Sequence, residues 1–292
     1  RWPNTYYQVE TLILGQAMER ARKPERFIVG CADPKKPLPK VLEHALRRFG
    51  CPILPMRYES AELAKISINM CLVASVSVAN TMAEVAEKIG ADWSEIVPAL
   101  KLDRRIGQWS YLAPGLGIAG GNLERDLATV VRLSEEHGTD SRVVQAWLAN
   151  STHRRDWALT TIHREILARD PDPLLAVWGL AYKENTASTK NSPSLHTIGH
   201  LKPYRLRVFD PAVPATAAEH PRAEGAPSAI EAARGADALL VLTPWPEFKK
   251  VAPAEIARAM RGRLVLDPYA VLDARAARAA GLAYHTLGAP GC

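Results

Sequence analysis

Short apolar runs in the last third of the chain constrain its fold more than any other feature. Leu174-Leu-Ala-Val-Trp-Gly-Leu180, Leu206-Arg-Val-Phe-Asp210, Ala238-Leu-Leu-Val-Leu242 and Leu264-Val-Leu-Asp267 are separated by segments of helical character, one of them opening near Ser192. Strands apolar on both faces that alternate with helices form a parallel sheet covered on both sides. Residues 172–292 are therefore expected to form a Rossmann-like domain. Asp210 and Asp267 close their strands, at the edge where such sheets place ligand contacts.

The preceding region follows a helical period. From Ser60 to about Ile89, Leu63, Ile66, Met70, Val73 and Val76 recur as the stripe of a packed helix. Small residues such as Ala61, Ala64, Ala74, Ser75 and Ala79 allow close approach of neighbours, so this helix is expected to be buried on more than one face. Asp92-Trp-Ser-Glu95 spells a capping box. Further helices are expected over Leu127–Glu136 and Ser141–Ala168, the last long enough to link two domains. Residues 60–171 thus read as a central all-helical domain. Before them come an expected helix over Glu10–Arg22, a strand over Arg26–Gly30, a helix over Leu38–Phe49 and a short strand over Cys51–Pro55. The class is α/β.

Composition narrows the function. Hydrophobic residues make up 47% and charged residues 23%, the balance of a soluble globular protein. No apolar run is expected to reach the roughly 20 residues that cross a bilayer. The first residues lack the pattern of a secretory signal, and the opening at Arg1 rather than Met suggests a processed or trimmed piece. The net charge of +6 is scattered, with short clusters at Arg20–Lys23 and Arg154–Arg155, which fits a solvated surface better than a nucleic-acid site. Cys31, Cys51, Cys71 and Cys292 show no CxxC or metal-ligand spacing. Reduced thiols in a cytoplasmic protein are the simplest reading, and no metal is expected.

Gly115-Leu-Gly-Ile-Ala-Gly120 spells the dinucleotide fingerprint in the wrong context. The fingerprint follows a strand directly, whereas Pro114 adjoins the first glycine and no acidic strand end follows in a βαβ unit. A glycine-rich loop that lets backbone approach a ligand closely is the expectation.

Several segments, in order along the chain, resemble one family, the UDP-glucose/GDP-mannose dehydrogenases. Ala61-Glu-Leu-Ala-Lys-Ile-Ser-Ile-Asn69 resembles its AELxKxxxN helix, and Leu102-Asp-Arg-Arg-Ile-Gly107 its LDxRIG turn. Pro114-Gly-Leu-Gly-Ile-Ala-Gly-Gly-Asn-Leu-Glu-Arg-Asp126 resembles its loop PGxGxGGxCxPxD. Gly179-Leu-Ala-Tyr-Lys-Glu-Asn-Thr186 resembles GLAFKxNT, and Ser192-Pro-Ser follows it. Asp210-Pro211 and Thr243-Pro-Trp-Pro-Glu-Phe248 are similar to DP and TEWPEF, and Val9-Glu-Thr-Leu-Ile-Leu-Gly15 to a PEFLREG-type segment.

The resemblance implies oxidation of the C6 hydroxymethyl of a nucleotide-linked hexose, with NAD as hydride acceptor. It implies that Lys65 and Asn69, one helical turn apart, hold charge developing on the substrate oxygen. Asp126 would order a water for proton transfer and Glu10 would assist as a base. Arg105, Tyr111, Gly117 and Lys183 would bind substrate, Arg105 reaching the partner subunit's site in a homodimer built on the central helices. Lys190 would contact NAD. Neither a nucleic acid nor a membrane is an expected partner.

The chain departs from the family pattern at a decisive place. Asn122 stands where the family keeps the cysteine that traps the intermediate aldehyde covalently, and a carboxamide cannot act as that nucleophile. Cys71, two residues beyond Asn69, is expected to pack as a small apolar side chain rather than replace it. Leu14, Glu124 and Tyr269 also depart, Tyr269 standing where the family has a nucleotide-binding arginine. Residues 1–59 read as the end of an N-terminal cofactor-type domain, whose glycine loop for NAD would have to lie upstream. Two readings result: a dehydrogenase with altered chemistry, releasing an aldehyde or working through its hydrate, or a catalytically inactive nucleotide-sugar-binding or scaffold homologue.

Overall fold

The computed structural model describes residues 5–13 and 15–290. Arg1, Leu14 and Cys292 lie outside the described residues. The chain divides into two compact units, one up to Cys71 and one from Leu72 onward.

The first unit holds a three-stranded sheet in the order β1-β2-β3, formed by Tyr7–Gln8, Phe27–Cys31 and Ile53–Arg57. β2 pairs antiparallel with β1 and parallel with β3. Two helices, α1 (Ala17–Arg22) and α2 (Lys40–Arg47), lie in the connections, and the unit ends in the first turns of α3 (Tyr58–Ile89). The helix expected over Glu10–Arg22 is confined to α1. Gly15 takes a left-handed φ of 92°, and the exposed Glu10 carboxylate accepts the amides of Thr11 and Leu12 at 2.7 and 2.8 Å. A side chain that caps its own following residues competes with the helix there.

The second unit joins a helical region to a six-stranded sheet. After α3 come α4 (Trp93–Leu102), α5 (Asn122–His137), α6 (Arg142–Arg155) and α7 (Trp157–Ile162). The Asp92 side chain caps α4 by accepting from Ser94 N at 2.8 Å. The single helix expected over Ser141–Ala168 is broken at Asp156, and its end, His163–Leu167, is wound as a π-helix.

All strands of the larger sheet run parallel, in the order β6-β5-β4-β7-β8-β9. They are β4 (Leu174–Trp178), β5 (Arg205–Phe209), β6 (Ala223–Gly225), β7 (Ala238–Val241), β8 (Leu264–Leu266) and β9 (Ala283–His285). The chain starts in the middle, builds one half outward and crosses back to build the other, the doubly wound arrangement. β4 and β7 are buried along nearly their whole length, as their unbroken apolar runs required. Ala158 and Ile162 of α7 and Leu116 of the glycine segment join the core beneath the sheet.

Helix α3 departs from its sequence pattern in two respects. Val73 is buried, but Leu63 is 54% exposed, and Val78, Met82, Val85 and Ile89 are exposed too. The helix therefore buries one face, not several. It also contains an 18-residue window of mean hydropathy 1.5, long and apolar enough by composition to cross a membrane, although no such run was expected. Alanine, valine and methionine interspersed with serine raise the average without forming an uninterrupted apolar string. Cys71 is exposed rather than packed.

Both strand-end aspartates serve the chain itself instead of facing a ligand. The Asp267 Oδ2 accepts from Leu272 N at 2.8 Å and from the Tyr284 hydroxyl at 2.7 Å. Burial pushes the Asp267 carboxyl above the usual carboxylate range, and burial also raises the Tyr284 phenol. Removing a donor from a buried carboxylate leaves desolvation uncompensated. Tyr284→Phe is expected to lower unfolding stability by about 1–3 kcal/mol, read from urea unfolding curves of the two proteins at neutral pH.

Candidate active site

Within the first unit, Lys65 and Asn69 stand one turn apart on α3, Lys65 half-buried and Asn69 7% exposed. Val9, Ile28 and Ala61 form a small apolar cluster that Ala64 and Ile68 join. This cluster packs the segment entering Glu10 against the part of the helix that carries Lys65 and Asn69.

The remaining candidates belong to the second unit, and its glycine segment organises several of them. No helix or strand lies between Leu102 and Asn122, so no strand directly precedes Gly115. A dinucleotide cradle needs that strand. The faces of the glycines are instead covered by the protein's own side chains. A Cβ on Gly120 would sit 3.0 Å from the Tyr182 ring, and one on Gly115 3.3 Å from the Tyr269 ring. A Cβ on Gly121 would collide with the Lys190 side chain, and one on Gly117, at φ 76°, with the main chain and hydroxyl of Ser151. The glycines thus permit close approach, as their spacing suggested, but the described neighbours are protein groups. This glycine loop therefore does not form a dinucleotide cradle.

The segment delivers the chain to α5. Asn122 is the first residue of that helix and is exposed, while Asp126, one turn on, is 5% exposed and ion-paired with Arg125 at 3.0 Å. Glu124 meets Arg155 at 3.4 Å. The Lys183 ammonium lies 5.7 Å from the centre of the Tyr182 ring, the ring that covers Gly120. Lys183, Lys190, Gly117 and Asn122 are therefore gathered around one loop. Arg105 is engaged by its neighbour: Asp103 accepts from its Nε at 3.0 Å and Nη2 at 2.6 Å, and this pairing raises the guanidinium pKa and lowers that of the carboxyl. Tyr111 is 48% exposed.

Sequence reasoning missed the residues that fasten this region. Gly115 N donates to Asn80 Oδ1 at 2.9 Å and Ile118 N to Ser151 Oγ at 2.7 Å. Arg155 and Asn191 donate to the Ile118 carbonyl, and Asn191 also to that of Gly120. Asp210 accepts from the amides of Leu180, Ala181, Ala212 and Val213 and from the Trp245 indole at 2.6–3.0 Å. Beyond β4, a side chain on Gly179 would collide with Thr243. Polar residues inside an otherwise apolar helix, Asn80 above all, were the available signal, but nothing local names their partners. A separate cavity of about 360 Å³ is lined by Glu84, Glu87, His153, Arg154 and His285. None of the candidate residues lines it.

Comparison with known proteins fits this geometry. The central-domain model of the UDP-glucose/GDP-mannose dehydrogenase family matches residues 59–152, and that family's UDP-binding-domain model matches residues 176–274. The UDP-glucose 6-dehydrogenase TuaD of Bacillus subtilis is 27% identical over 288 residues, covering 96% of this chain and 61% of the relative. A UDP-glucose 6-dehydrogenase of Caenorhabditis elegans is 30% identical over 90% of this chain and 60% of its own length. The solved UDP-glucose dehydrogenase of Pyrobaculum islandicum superposes with a TM-score of 0.83 at 25% identity, over 96% of this chain and 62% of that one. The UDP-D-ManNAc dehydrogenase of Pyrococcus horikoshii shares the fold at a TM-score of 0.79 and 22% identity, over 97% of this chain and 64% of that one. The chain spans about three fifths of the length of the curated relatives it matches. By its two matched domains, in order, and by its fold, the chain belongs to the UDP-glucose/GDP-mannose dehydrogenase family.

Proposed function

We propose that the chain is the central and C-terminal part of an NAD-dependent nucleotide-sugar 6-dehydrogenase, with a UDP-hexose such as UDP-glucose as substrate. The observation that carries this reading is the first turn of α5. Its exposed Asn122 and buried Asp126 are delivered by an anchored glycine loop that Lys183 and Lys190 flank. In this reading residues 1–59 are the end of a cofactor-type domain, 60–171 a central dimerisation domain and 172–292 the nucleotide-sugar-binding domain.

Lys65 and Asn69 stabilise charge on the C6 oxygen as the alcohol loses a hydride and a proton, the amine as a cation and the amide as a donor. By the family resemblance Asp126 has the role of ordering a water for proton transfer, and Glu10 that of a base during hydrolysis. Arg105, Tyr111, Gly117 and Lys183 contact the nucleotide sugar, and Lys190 contacts NAD. NAD would supply the hydride acceptor. With Asn122 in the nucleophile's place no covalent thiohemiacetal forms, so oxidation ends at the aldehyde or passes through its hydrate.

A homodimer is part of the proposal. Val78, Met82, Val85 and Ile89 repeat at helical spacing along one exposed stripe of α3, whose other face buries Ser77 and Asn80. A helix with polar groups committed to the protein core suits an apolar partner helix better than lipid. A cytoplasmic setting follows from the proposed substrate and cofactor.

The same Asn122 favours a second reading, a nucleotide-sugar-binding homologue without turnover. Calorimetry with UDP-glucose and counting of NADH formed per sugar by the natural protein separate the two. The dehydrogenase gives about one equivalent of NADH and an aldehyde that hydroxylamine traps where oxidation ends there, or about two equivalents with no thioester where it passes through the hydrate. Asn122→Cys raises the yield toward a second equivalent, and Lys65→Ala abolishes turnover while leaving binding. Two equivalents with a thioester in the unsubstituted protein would refute the altered chemistry; binding with no NADH favours the second reading. For the dimer, Val85→Glu is expected to convert a dimer into a monomer in light scattering, and an unsubstituted chain that is already monomeric removes that part of the proposal.

A further inference from the structure

The glycine segment has no secondary structure to satisfy its peptide groups, so partners must come from elsewhere. They come from three places in the second unit. Asn80, 1% exposed on α3, accepts from Gly115 N at 2.9 Å. Ser151, 5% exposed on α6, accepts from Ile118 N at 2.7 Å. Asn191, just before the helix Pro193–His200, donates to the carbonyls of Ile118 at 3.4 Å and Gly120 at 3.3 Å. Asn191 holds a left-handed φ of 51° to do so, a conformation that asparagine and glycine tolerate best.

These bonds end on main-chain atoms that lead directly into Asn122. We propose that Asn80, Ser151 and Asn191 are positioning residues that fix the backbone before α5 and so set where Asn122 and Asp126 stand toward a bound nucleotide sugar. The proposal rests on the dehydrogenase reading for its substrate, but the clamp itself is geometric. Asn80 and Ser151 hold the two amides from buried positions, where water cannot take over their role. Asn191 holds two carbonyls of the loop, next to Lys190, whose stem covers Gly121.

The test compares the unsubstituted chain with Ser151→Ala, Ser151→Thr and Asn191→Gly. Asn191→Gly keeps the left-handed backbone at φ 51° while removing the side chain with its amide donor, so the fold survives. Hydrogen exchange of peptides covering residues 112–121 is expected to accelerate about tenfold in Ser151→Ala and Asn191→Gly, with exchange in β4 and β7 unchanged. The Kd for UDP-glucose is expected to rise about tenfold in the same two variants, with only Ser151→Ala also melting lower, because it leaves the buried Ile118 amide without its partner. Ser151→Thr, which retains the hydroxyl, is expected to restore both. Unchanged loop exchange in Asn191→Gly overturns the clamp, and faster exchange with an unchanged Kd reduces these residues to packing and overturns the positioning role. Failure of the unsubstituted chain to bind UDP-glucose counts against the dehydrogenase reading, and the exchange comparison then still decides the clamp.

Discussion

A buried irregular segment must find partners for its peptide groups outside a ladder, and the amides of Gly115 and Ile118 and the carbonyls of Ile118 and Gly120 find them in side chains. Asn80, Ser151, Arg155 and Asn191 reach the segment from distant positions in sequence, and Leu116 sinks into the core beneath the sheet. The four glycines matter because they let these groups close to contact distance. Helix α5 begins where that fastening ends, so the placement of Asn122 and Asp126 inherits its accuracy from the loop.

The same economy governs the carboxyl edge of the parallel sheet. Asp210 spends its carboxylate on main-chain amides from two loops and on the Trp245 indole. Charge-assisted bonds to backbone donors are strong, and they tie the turn after β4 to the turn after β5. Gly179 lies against Thr243 across the point where the strand order reverses. At the edge where a doubly wound sheet usually offers a crevice to a ligand, these bonds tie the turns together, while Tyr182 and Lys183, just beyond the tied turn, flank the glycine loop.

Much of this was legible in the sequence, and the failures have common causes. The strands from Leu174, Leu206, Ala238 and Leu264 emerge where unbroken apolar runs placed them, and α3 runs from Tyr58 to Ile89 close to its expected span. β6 and β9, three residues each, carry too few side chains for any period to show. The expected helix at Glu10 fails because a carboxylate capping its own neighbours outbids weak helical propensity. The face that α3 buries could not be read from its small residues, since these permit close packing without naming the side on which it occurs. Motif spacing put Asn122, Lys183 and Lys190 forward as candidates, but long-range side-chain to main-chain bonds leave no local trace, so Asn80, Ser151 and Asn191 stayed hidden.

One contact in the second unit reaches unusually far along the chain. Gly288 N donates to Glu87 Oε1 at 2.8 Å across 201 positions, and Trp93 N donates back to the Gly288 carbonyl at 2.7 Å. Arg154, 2% exposed at its side chain, pairs with the same Glu87 oxygen. A helix made early in synthesis therefore leaves a carboxylate waiting for a backbone amide that the ribosome delivers some 200 residues later. Long-range closure of this kind is slow and cooperative. The link between the end of α3 and the segment after β9 can therefore close only once both have been synthesised.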